Sequence, residues 1–528
     1  MYNNIRKKRL VSLLLILLII GGFMYLRKAV FVATLSSRPF QAAVVESLDK
    51  LEPALLENHS EQLAASAIYE GLVSFDDKEG RLKPVLAEHW AYADDGKTIN
   101  IKLKEGIKFS NGKEVTASAV KNSWEKNISL NKEWSNQCMF LRIAGASELL
   151  NGNASVISGI QAVQNNTLTI TLASPDAAFI YALTNPIFWV VDRSTEAASG
   201  TGPFVVNKST PENVVLLRNE EYYGDKPNLS AITFTRYQDE PQALAAYKEG
   251  KVDYLDDLPL KELPQIASDA QYKKQFIEKP LMDAYWLGFN LNREPYNNNY
   301  LLRRALNYAI DRDAIIKNIL GGGYLPAKGV IPIGSNAYNA QMRGYTYDPD
   351  KVQELLSEAG FPKGQGLQPL TLTYNSDPGH RQVALEVARQ LGLQGITVQV
   401  QENDWDYYTK QLSNMQLSFF RFGWRADYED ADNLLYTLFY GTSTGGSNLT
   451  GYRNPQVDKL LDDSRAEYLD EGARLKLLKR AEEIIVDDAP CLWLFQKKAT
   501  ILIGKDVRDF QVDSLEMIDW NTVSLTSF

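Results

Sequence analysis

The chain has 528 residues, of which 45% are hydrophobic and 23% are charged, and its formal net charge is −9. This length allows about three domains of ordinary size, and the hydrophobic fraction is typical of a folded globular protein rather than a disordered one. The acidic balance argues against a nucleic-acid-binding protein, because such proteins carry a basic surface.

Histidine and cysteine are scarce in this chain. The only ones are His59, His89, His380, Cys138 and Cys491. Two cysteines are too few for a disulfide framework or a cysteine metal cluster, although a single bond between them stays open. No two histidines have the spacing of a helical zinc site. The sequence therefore predicts no metal and no cofactor.

The first 34 residues carry the signature of an export signal or membrane anchor. A basic head at residues 6–9 precedes an apolar run from Leu10 to Leu26, and two more cations close it. The run is just long enough to span a bilayer. No convincing small-residue cleavage site follows, and no cysteine follows for lipid attachment. We expect residues 1–34 to be an uncleaved anchor with the body outside, and a cleaved signal is the alternative.

Strand and helix patterns then alternate irregularly along the chain. Residues 97–106 and 165–175 alternate apolar and polar side chains, which predicts two half-buried strands. An Asn-Gly turn at residues 111–112 follows the first of them. Residues 300–311 place apolar side chains at helical spacing, and the glycines at 321–323 end the helices of this region.

The clearest unit is residues 369–402, which reads as strand, helix, strand. That order at this length predicts a βαβ unit, and hence an α/β fold with a partly parallel sheet. A further strand follows at residues 417–424, with Trp424 and Asp427 at its carboxyl end. Because ligands in such sheets bind beyond the carboxyl ends of the strands, we expect a binding site there.

Patterns of catalysis and metal binding fail when tested. The best phosphate-loop match, around Gly96, lacks its first glycine, and the Ser-x-x-Lys spacing at residues 123–126 lacks its partner motifs. The acidic run at residues 427–433 has no glycine where a calcium loop needs one. We therefore interpret Glu429, Asp430 and Asp432 as a solvated acidic turn, and we expect no enzyme.

Five segments together carry a resemblance to a known family. They are "YEGLVSFD" (69–76), "LKPVLAEHW…VKNSW" (82–124), "GTGPFVV" (200–206), "LGFNLN…RDAII" (287–316) and "GWRADYEDADNLL" (423–435). In this order and spacing the chain, from about residue 40 onward, resembles the peptide-binding class of extracytoplasmic solute-binding proteins. These oligopeptide- and dipeptide-binding proteins deliver ligands to ABC importers.

The resemblance implies an α/β fold in the form of a two-lobed clamshell of three domains, with a first lobe that is discontinuous in sequence. The implied parts are domain I at 35–70, 191–278 and 490–528, an inserted domain II at 71–190, and domain III, the second lobe, at 279–489. The implied partners are a short peptide ligand, an ABC permease and its ATPase, and the membrane through the N-terminal segment. We expect a monomer that binds no nucleic acid.

The resemblance also implies ligand-binding residues. Asp427 would pair with the α-amino group of the peptide, and Trp424 would line the cleft. Arg421 would meet the carboxylate of longer peptides, with similar work expected of His380. Trp405 would line a side-chain pocket. No residue of the inserted domain can be aligned securely enough to name.

Each of these roles has a structural alternative. Asp427 and Arg421 would satisfy each other if they formed an ion pair. His380 would serve only as a helix cap, and Trp424 and Trp405 would belong to the core. At the level of function, the alternatives are the same fold binding an oligosaccharide, an opine or a metal chelate, or a membrane-anchored sensor that reports peptide to a partner.

Overall fold

The computed structural model describes residues 38–131, 134–195, 198–443 and 447–526. The predicted anchor at residues 1–34 lies outside these ranges. Within them, no helix has the length and apolar character needed to cross a membrane.

The chain alternates between strands and short helices. The strands are β1 Phe40–Val44, β2 Val73–Asp76, β3 Arg81–Pro84, β4 Ala87–Tyr92, β5 Thr98–Leu103, β6 Ile160–Gln164, β7 Thr167–Thr171, β8 Phe204–Thr210, β9 Asn213–Arg218, β10 Ala231–Arg236, β11 Tyr254–Leu255, β12 Phe276–Pro280, β13 Asp283–Phe289, β14 Tyr324–Pro326, β15 Leu370–Asn375, β16 Val398–Asn403, β17 Phe419–Arg425, β18 Cys491–Ile503, β19 Val507–Arg508 and β20 Ser524–Leu525. The α-helices are α1 His59–Ala65, α2 Ala117–Leu130, α3 Trp134–Phe140, α4 Ala146–Leu150, α5 Phe179–Ala182, α6 Glu240–Lys248, α7 Leu263–Ser268, α8 Tyr300–Tyr308, α9 Arg312–Asn318, α10 Pro349–Glu358, α11 Pro378–Leu393, α12 Trp405–Ser413, α13 Ala431–Phe439, α14 Pro455–Ala466 and α15 Glu471–Asp488.

One 12-stranded sheet runs through the molecule in the order β16-β15-β17-β13-β18-β11-β1-β10-β9-β8. Two further strands, β12 and β14, also pair with β18. The first half of β18 pairs with β13 and the second half with β11 and β12. We call the part built on β1 and β8–β12 the first lobe, and the part built on β13–β17 the second lobe. The place where β18 passes between them is the hinge.

The predicted βαβ unit is confirmed in the second lobe. Strands β15 and β16 pair in parallel, and α11 connects them. Asp377 begins α11 as its N-cap, because its side chain accepts a hydrogen bond from the backbone N–H of His380. Strand β17 then adds beside β15, also in parallel, so its carboxyl end lies at the same edge of the sheet.

A smaller antiparallel sheet, β4-β5-β7-β6, forms an inserted unit over residues 87–190. The alternation predicted for two of its strands is confirmed, since Ile99 and Leu168 are fully buried while their neighbours are more exposed. Its core packs around Trp124, whose Nε1 donates to the carbonyl oxygen of Phe188 at 2.7 Å. The domain boundaries stay a prediction.

The Gly-Thr-Gly-Pro segment at residues 200–203 packs directly on the backbone at the end of α1. The N–H of Gly202 donates to the carbonyl oxygen of Ile68 at 2.9 Å. A Cβ on Gly200 would overlap that same oxygen, and one on Gly202 would lie 2.6 Å from the carbonyl carbon. These glycines are therefore required by close backbone approach.

Replacing Gly200 with alanine is expected to destabilise the protein by about 1–3 kcal/mol, because backbone atoms must shift to admit the methyl group. The measurement is the urea midpoint of unfolding. Gly392, in α11, is the matched control, since a Cβ there meets nothing within 4 Å. Gly392→Ala should be neutral or stabilising by up to about 1 kcal/mol. Equal effects of the two changes would contradict the packing argument.

The two cysteines are both free, with Cys491 buried and Cys138 half-buried. The Cys138–Cys491 bond that the sequence left open does not form in this structure.

Candidate functional site

A large cavity lies between the lobes and the inserted unit. Its volume is about 1,330 Å³, which exceeds the roughly 300–1,000 Å³ of an ordinary small-molecule pocket. Its wall combines residues 53–85, 184–189, 222–225, 425–429 and 510–522, with a few others. The second lobe contributes the segment that follows β17, as the carboxyl-end argument predicts.

Asp427 is the predicted site residue that lines this cavity. Asn433 fixes its orientation twice: Asn433 Nδ2 donates to Asp427 Oδ2 at 2.9 Å, and the backbone N–H of Asp427 donates to Asn433 Oδ1 at 3.0 Å. Burial raises the pKa of Asp427 to about 6, even though the Asn433 hydrogen bond lowers it. Among the residues that the structure describes, no cation lies within ion-pair distance of this carboxylate. It can therefore receive a positive charge from a ligand.

Trp424 is linked to Asp427 through the same asparagine. Its Nε1 donates to Asn433 Oδ1 at 3.2 Å. The ring is half-buried and packs near Phe422 against the core of the second lobe. Trp424 is therefore partly a core residue, and the described wall of the large cavity does not include it.

Arg421 and His380 form a separate group around Tyr285. The Arg421 guanidinium carbon lies 4.8 Å from the centre of the Tyr285 ring, and the Tyr285 hydroxyl lies 3.4 Å from His380 Nδ1. Burial, with a further contribution from Arg421, lowers the pKa of His380 to about 4. Arg421 Nε is buried and has no hydrogen-bond partner among the described residues. This group can bind an anion, because Arg421 forms no ion pair with a carboxylate in the described residues.

Four of the five predicted residues thus fall into two groups rather than one, Asp427 with Trp424 and Arg421 with His380. Side chains of β17 alternate between its faces, so Arg421 points to one side and Trp424 to the other. In the described part of the chain, Arg421 and Asp427 do not form an ion pair. His380 lies in the first turn of α11, but the cap itself is Asp377. Trp405, the first residue of α12, is 60% exposed and is not a core residue.

The acidic run after Asp427 is not a solvated turn, so that interpretation was wrong. Glu429, Asp430 and Asp432 are at most 6% exposed. Arg474 makes two hydrogen bonds to Asp430, and Arg465 makes two to Asp432. Burial raises the pKa of Asp432, but Arg465 and Arg142 outweigh it and hold the pKa at about 2.

The inserted unit grips this run from the other side. Arg142 donates twice to Asp176 at 2.6 and 2.7 Å, and its third nitrogen donates to the Tyr428 hydroxyl at 2.9 Å. Asn185 donates to the carbonyl oxygen of Asp427 at 2.9 Å, and Thr184 donates to Glu429 at 3.2 Å. These contacts hold residues 427–429 in place.

Sequence reasoning missed several residues of this wall. Asn433 was visible only as the last residue of the acidic run. Glu70 lies within the "YEGL" motif, lines the cavity, and accepts hydrogen bonds from Tyr222 at 2.7 Å and Thr201 at 3.0 Å. Burial raises its pKa to about 7. No sequence pattern indicated Asn185, because the residue whose carbonyl oxygen it binds, Asp427, is 242 residues away in sequence.

A cavity between two lobes, lined by carboxylates such as Asp427 and Glu70 that form no ion pair in the described residues, is typical of a solute-binding protein. No group of three or more His, Cys, Asp or Glu residues in the described ranges is placed to hold a metal ion.

Comparison with known proteins assigns the family. The family described as bacterial extracellular solute-binding proteins, family 5, matches residues 81–446. The chain belongs to this family, whose members are solute-binding receptors located outside the cytoplasm.

Three relatives share similar levels of identity with the chain. The dipeptide-binding protein of Escherichia coli K12 is 27% identical over 482 residues, covering 87% of this chain and 89% of the relative. The oligopeptide-binding protein OppA of Bacillus subtilis is 27% identical over 466 residues, covering 83% and 84%. Heme-binding protein A of Haemophilus influenzae is 28% identical over 468 residues, covering 83% of each.

The fold is also that of solved structures. HbpA2 from Haemophilus parasuis superimposes with a TM-score of 0.81 at 22% identity, covering 93% of this chain and all of that one. The two-lobed α/β architecture implied by the sequence is therefore confirmed.

Proposed function

We propose that this protein is a receptor that captures short peptides between its two lobes and delivers them to an ABC importer. The observation that carries the proposal is the Asp427 carboxylate, which lines a cavity of about 1,330 Å³ without a cationic partner among the described residues. The ammonium group at a peptide's N-terminus supplies the missing charge. The dipeptide- and oligopeptide-binding relatives support this ligand class.

In this proposal Asp427 binds the ligand's amino group, and Trp424 supports the wall beside it through Asn433. Arg421 and His380 receive the carboxylate of longer peptides, and Trp405 covers a side chain when the lobes close. A receptor that binds only the termini of a peptide does not discriminate between side chains, so water-filled pockets can accept many sequences. The heme-binding relative makes a non-peptide solute the second candidate.

The remaining parts of the proposal concern the setting of the receptor. Residues 1–34 tether it to the cytoplasmic membrane, and it works there as a monomer that meets its permease at high local concentration. The domains follow the predicted boundaries. It releases peptides intact, since its role is capture rather than cleavage.

Native mass spectrometry tests the proposal on full-length protein purified in mild detergent without denaturation. The expected result is a mixture of bound masses that fragment as peptides of a few residues. A single bound non-peptide mass would overturn the peptide assignment, and cleavage of added peptides during incubation would overturn the receptor role.

Peptide affinity is expected to fall on acidification through pH 6, by about tenfold per pH unit below it. Asp427 must be ionised to pair with an ammonium group, and its pKa in the ligand-free protein is about 6. The peptide's α-amino group, with a pKa of about 7.7–8.0, stays mainly protonated over this range. Calorimetric titration at pH 4.5–7.5, with a peptide identified by mass spectrometry, measures the dependence. An affinity that stays constant down to pH 4.5 would contradict this role for Asp427.

A further inference from the structure

The side-chain amide of Asn433 is held in one orientation. Its Oδ1 accepts hydrogen bonds from two N–H groups, the backbone of Asp427 at 3.0 Å and Nε1 of Trp424 at 3.2 Å. Neither group can accept a hydrogen bond, so turning the amide over would bring two donors onto its own NH2 group. Asn433 is 2% exposed, so little water reaches it to compensate. Nδ2 is therefore always directed at the Asp427 carboxylate.

The helix that carries Asn433 is fixed in the second lobe by two buried ion pairs. Asn433 lies in the first turn of α13. Asp430, the N-cap of α13, pairs with Arg474, and Asp432 pairs with Arg465 at 2.8 Å. A side chain that projects from an element anchored in this way keeps its position when a ligand binds.

The Asp427 carboxylate is left with one free oxygen. Asn433 Nδ2 occupies Oδ2 at 2.9 Å. No described residue donates to Oδ1, which is accessible from the cavity that Asp427 lines. An ammonium group is a compact charge that pairs well with a single oxygen, whereas a guanidinium group is a planar fork that binds both oxygens of a carboxylate. The two kinds of cation should therefore differ in their affinity for this carboxylate.

We propose that Asn433 is a specificity-determining residue: by occupying one oxygen of Asp427, it makes the site select amines over guanidines. The inference rests on the proposed function in taking Asp427 as the ligand-binding residue. It narrows the ligand class to peptides held by the ammonium group of an N-terminus or of a lysine. An arginine side chain does not replace that ammonium group at this carboxylate.

Three probes that differ only at the N-terminus test this selection. They are trialanine, its N-amidino derivative, which carries a guanidinium group, and its N-isopropyl derivative. The N-isopropyl group has the branched shape of the guanidinium group but leaves the charge on an ammonium nitrogen. Calorimetric titration of the full-length protein at pH 7 gives the three affinities. The wild type is expected to bind trialanine about tenfold more tightly than the N-amidino peptide, the factor that corresponds to one charge-assisted hydrogen bond.

Asn433→Ala frees Oδ2 for the second arm of the guanidinium fork. The N-amidino peptide should then bind about as tightly as trialanine, and the N-isopropyl peptide should gain nothing relative to trialanine. Equal gains by both derivatives would show that the variant only adds space, and would overturn the inference. Asn448→Ala is the matched control. Asn448 is also buried in the second lobe, and its Nδ2 donates to the carbonyl oxygen of Tyr452 at 2.7 Å, so its loss should leave the ratio of affinities unchanged.

The wild type alone can contradict the inference, by binding the N-amidino peptide as tightly as trialanine. A ratio of affinities that stays the same in folded Asn433→Ala protein would contradict it as well. Near-ultraviolet circular dichroism and the melting temperature show that the variant is folded. Either result would leave the proposed function standing if native mass spectrometry finds bound peptides.

A measurement without ligand decides the inference if none of the probes binds. Burial raises the pKa of Asp427 to about 6, and the Asn433 hydrogen bond opposes that rise. Without this bond the pKa should be higher, so the gain in stability from Asp427→Asn should continue to grow to a higher pH in Asn433→Ala protein. The Cys138 thiol in α3 also responds to this charge, but burial and Asp427 raise its pKa to about 11, so it stays protonated. Identical pH dependence in the two backgrounds would overturn the inference.

Discussion

Replacing Asp427 with asparagine is expected to lower peptide affinity by about 100-fold at pH 7. Asparagine keeps the shape and can still accept the hydrogen bond from Asn433 Nδ2, so the change removes the charge alone. Losing one partner of a buried charge pair costs about 3 kcal/mol, which corresponds to that factor. Calorimetric titration with a peptide recovered from the wild type gives the measurement.

The same substitution is expected to stabilise the ligand-free protein at pH 7. Folding raises the pKa of Asp427 from 3.8 to about 6. The contribution of this carboxyl group to the free energy of unfolding is therefore most favourable below pH 4, and it is lost as the pH rises through 6. Asparagine cannot ionise, so its advantage should grow over that interval to about 1–2 kcal/mol, allowing for screening by cavity water. The substitution should thus weaken peptide binding and stabilise the ligand-free protein, which is the combination expected of a carboxylate that serves binding rather than folding.

Asp350→Asn is the matched control, because Asp350 is exposed on α10 in the second lobe. It should change neither affinity nor the pH dependence of the melting temperature. An Asp427→Asn protein that binds peptide as the wild type does would remove the amine-binding role from this residue.

Replacing Arg474 with methionine is expected to destabilise the protein by about 3–5 kcal/mol, the second large effect. Arg474 is 1% exposed and makes two hydrogen bonds to Asp430, which is fully buried. Without the arginine, the Asp430 carboxylate stays in the interior as an unpaired charge or must take up a proton. Urea unfolding followed by circular dichroism measures the loss.

Arg480→Met on the same helix, α15, is the control for this prediction. Arg480 pairs with Glu483 at 2.9 Å on the surface, with side chains 58% and 39% exposed. Exposed pairs of this kind contribute about 0–1 kcal/mol. Similar losses from the two arginines would show that burial of the Asp430 pair is not what matters.

The regular elements of this fold could be predicted from local pattern. The βαβ unit of residues 369–402 and the strands around Ile99 and Leu168 follow from their apolar periodicity. The separation of Arg421 from Trp424 also follows from strand alternation, although the resemblance alone had grouped both with one ligand.

The burial of the acidic run could not be predicted in this way. Asp430 and Asp432 look solvated in sequence because the arginines that neutralise them lie 44 and 33 residues away on other helices. Arg142, which joins them from the inserted unit, is 286 residues from its Tyr428 partner. The arginines reach these carboxylates only after the chain has folded. Local composition therefore predicts a solvent-exposed environment for carboxylates that are in fact buried.

The 13-residue strand β18 has a consequence for how the chain matures. It is the central strand of both lobes, lying between β13 and β11, yet it begins only at residue 491 of 528. Until those residues have left the ribosome, each half of the sheet has an unpaired edge. Neither lobe can therefore complete its part of the sheet before β18 has been synthesised. A truncation just before β18 should leave two aggregation-prone halves rather than one intact lobe.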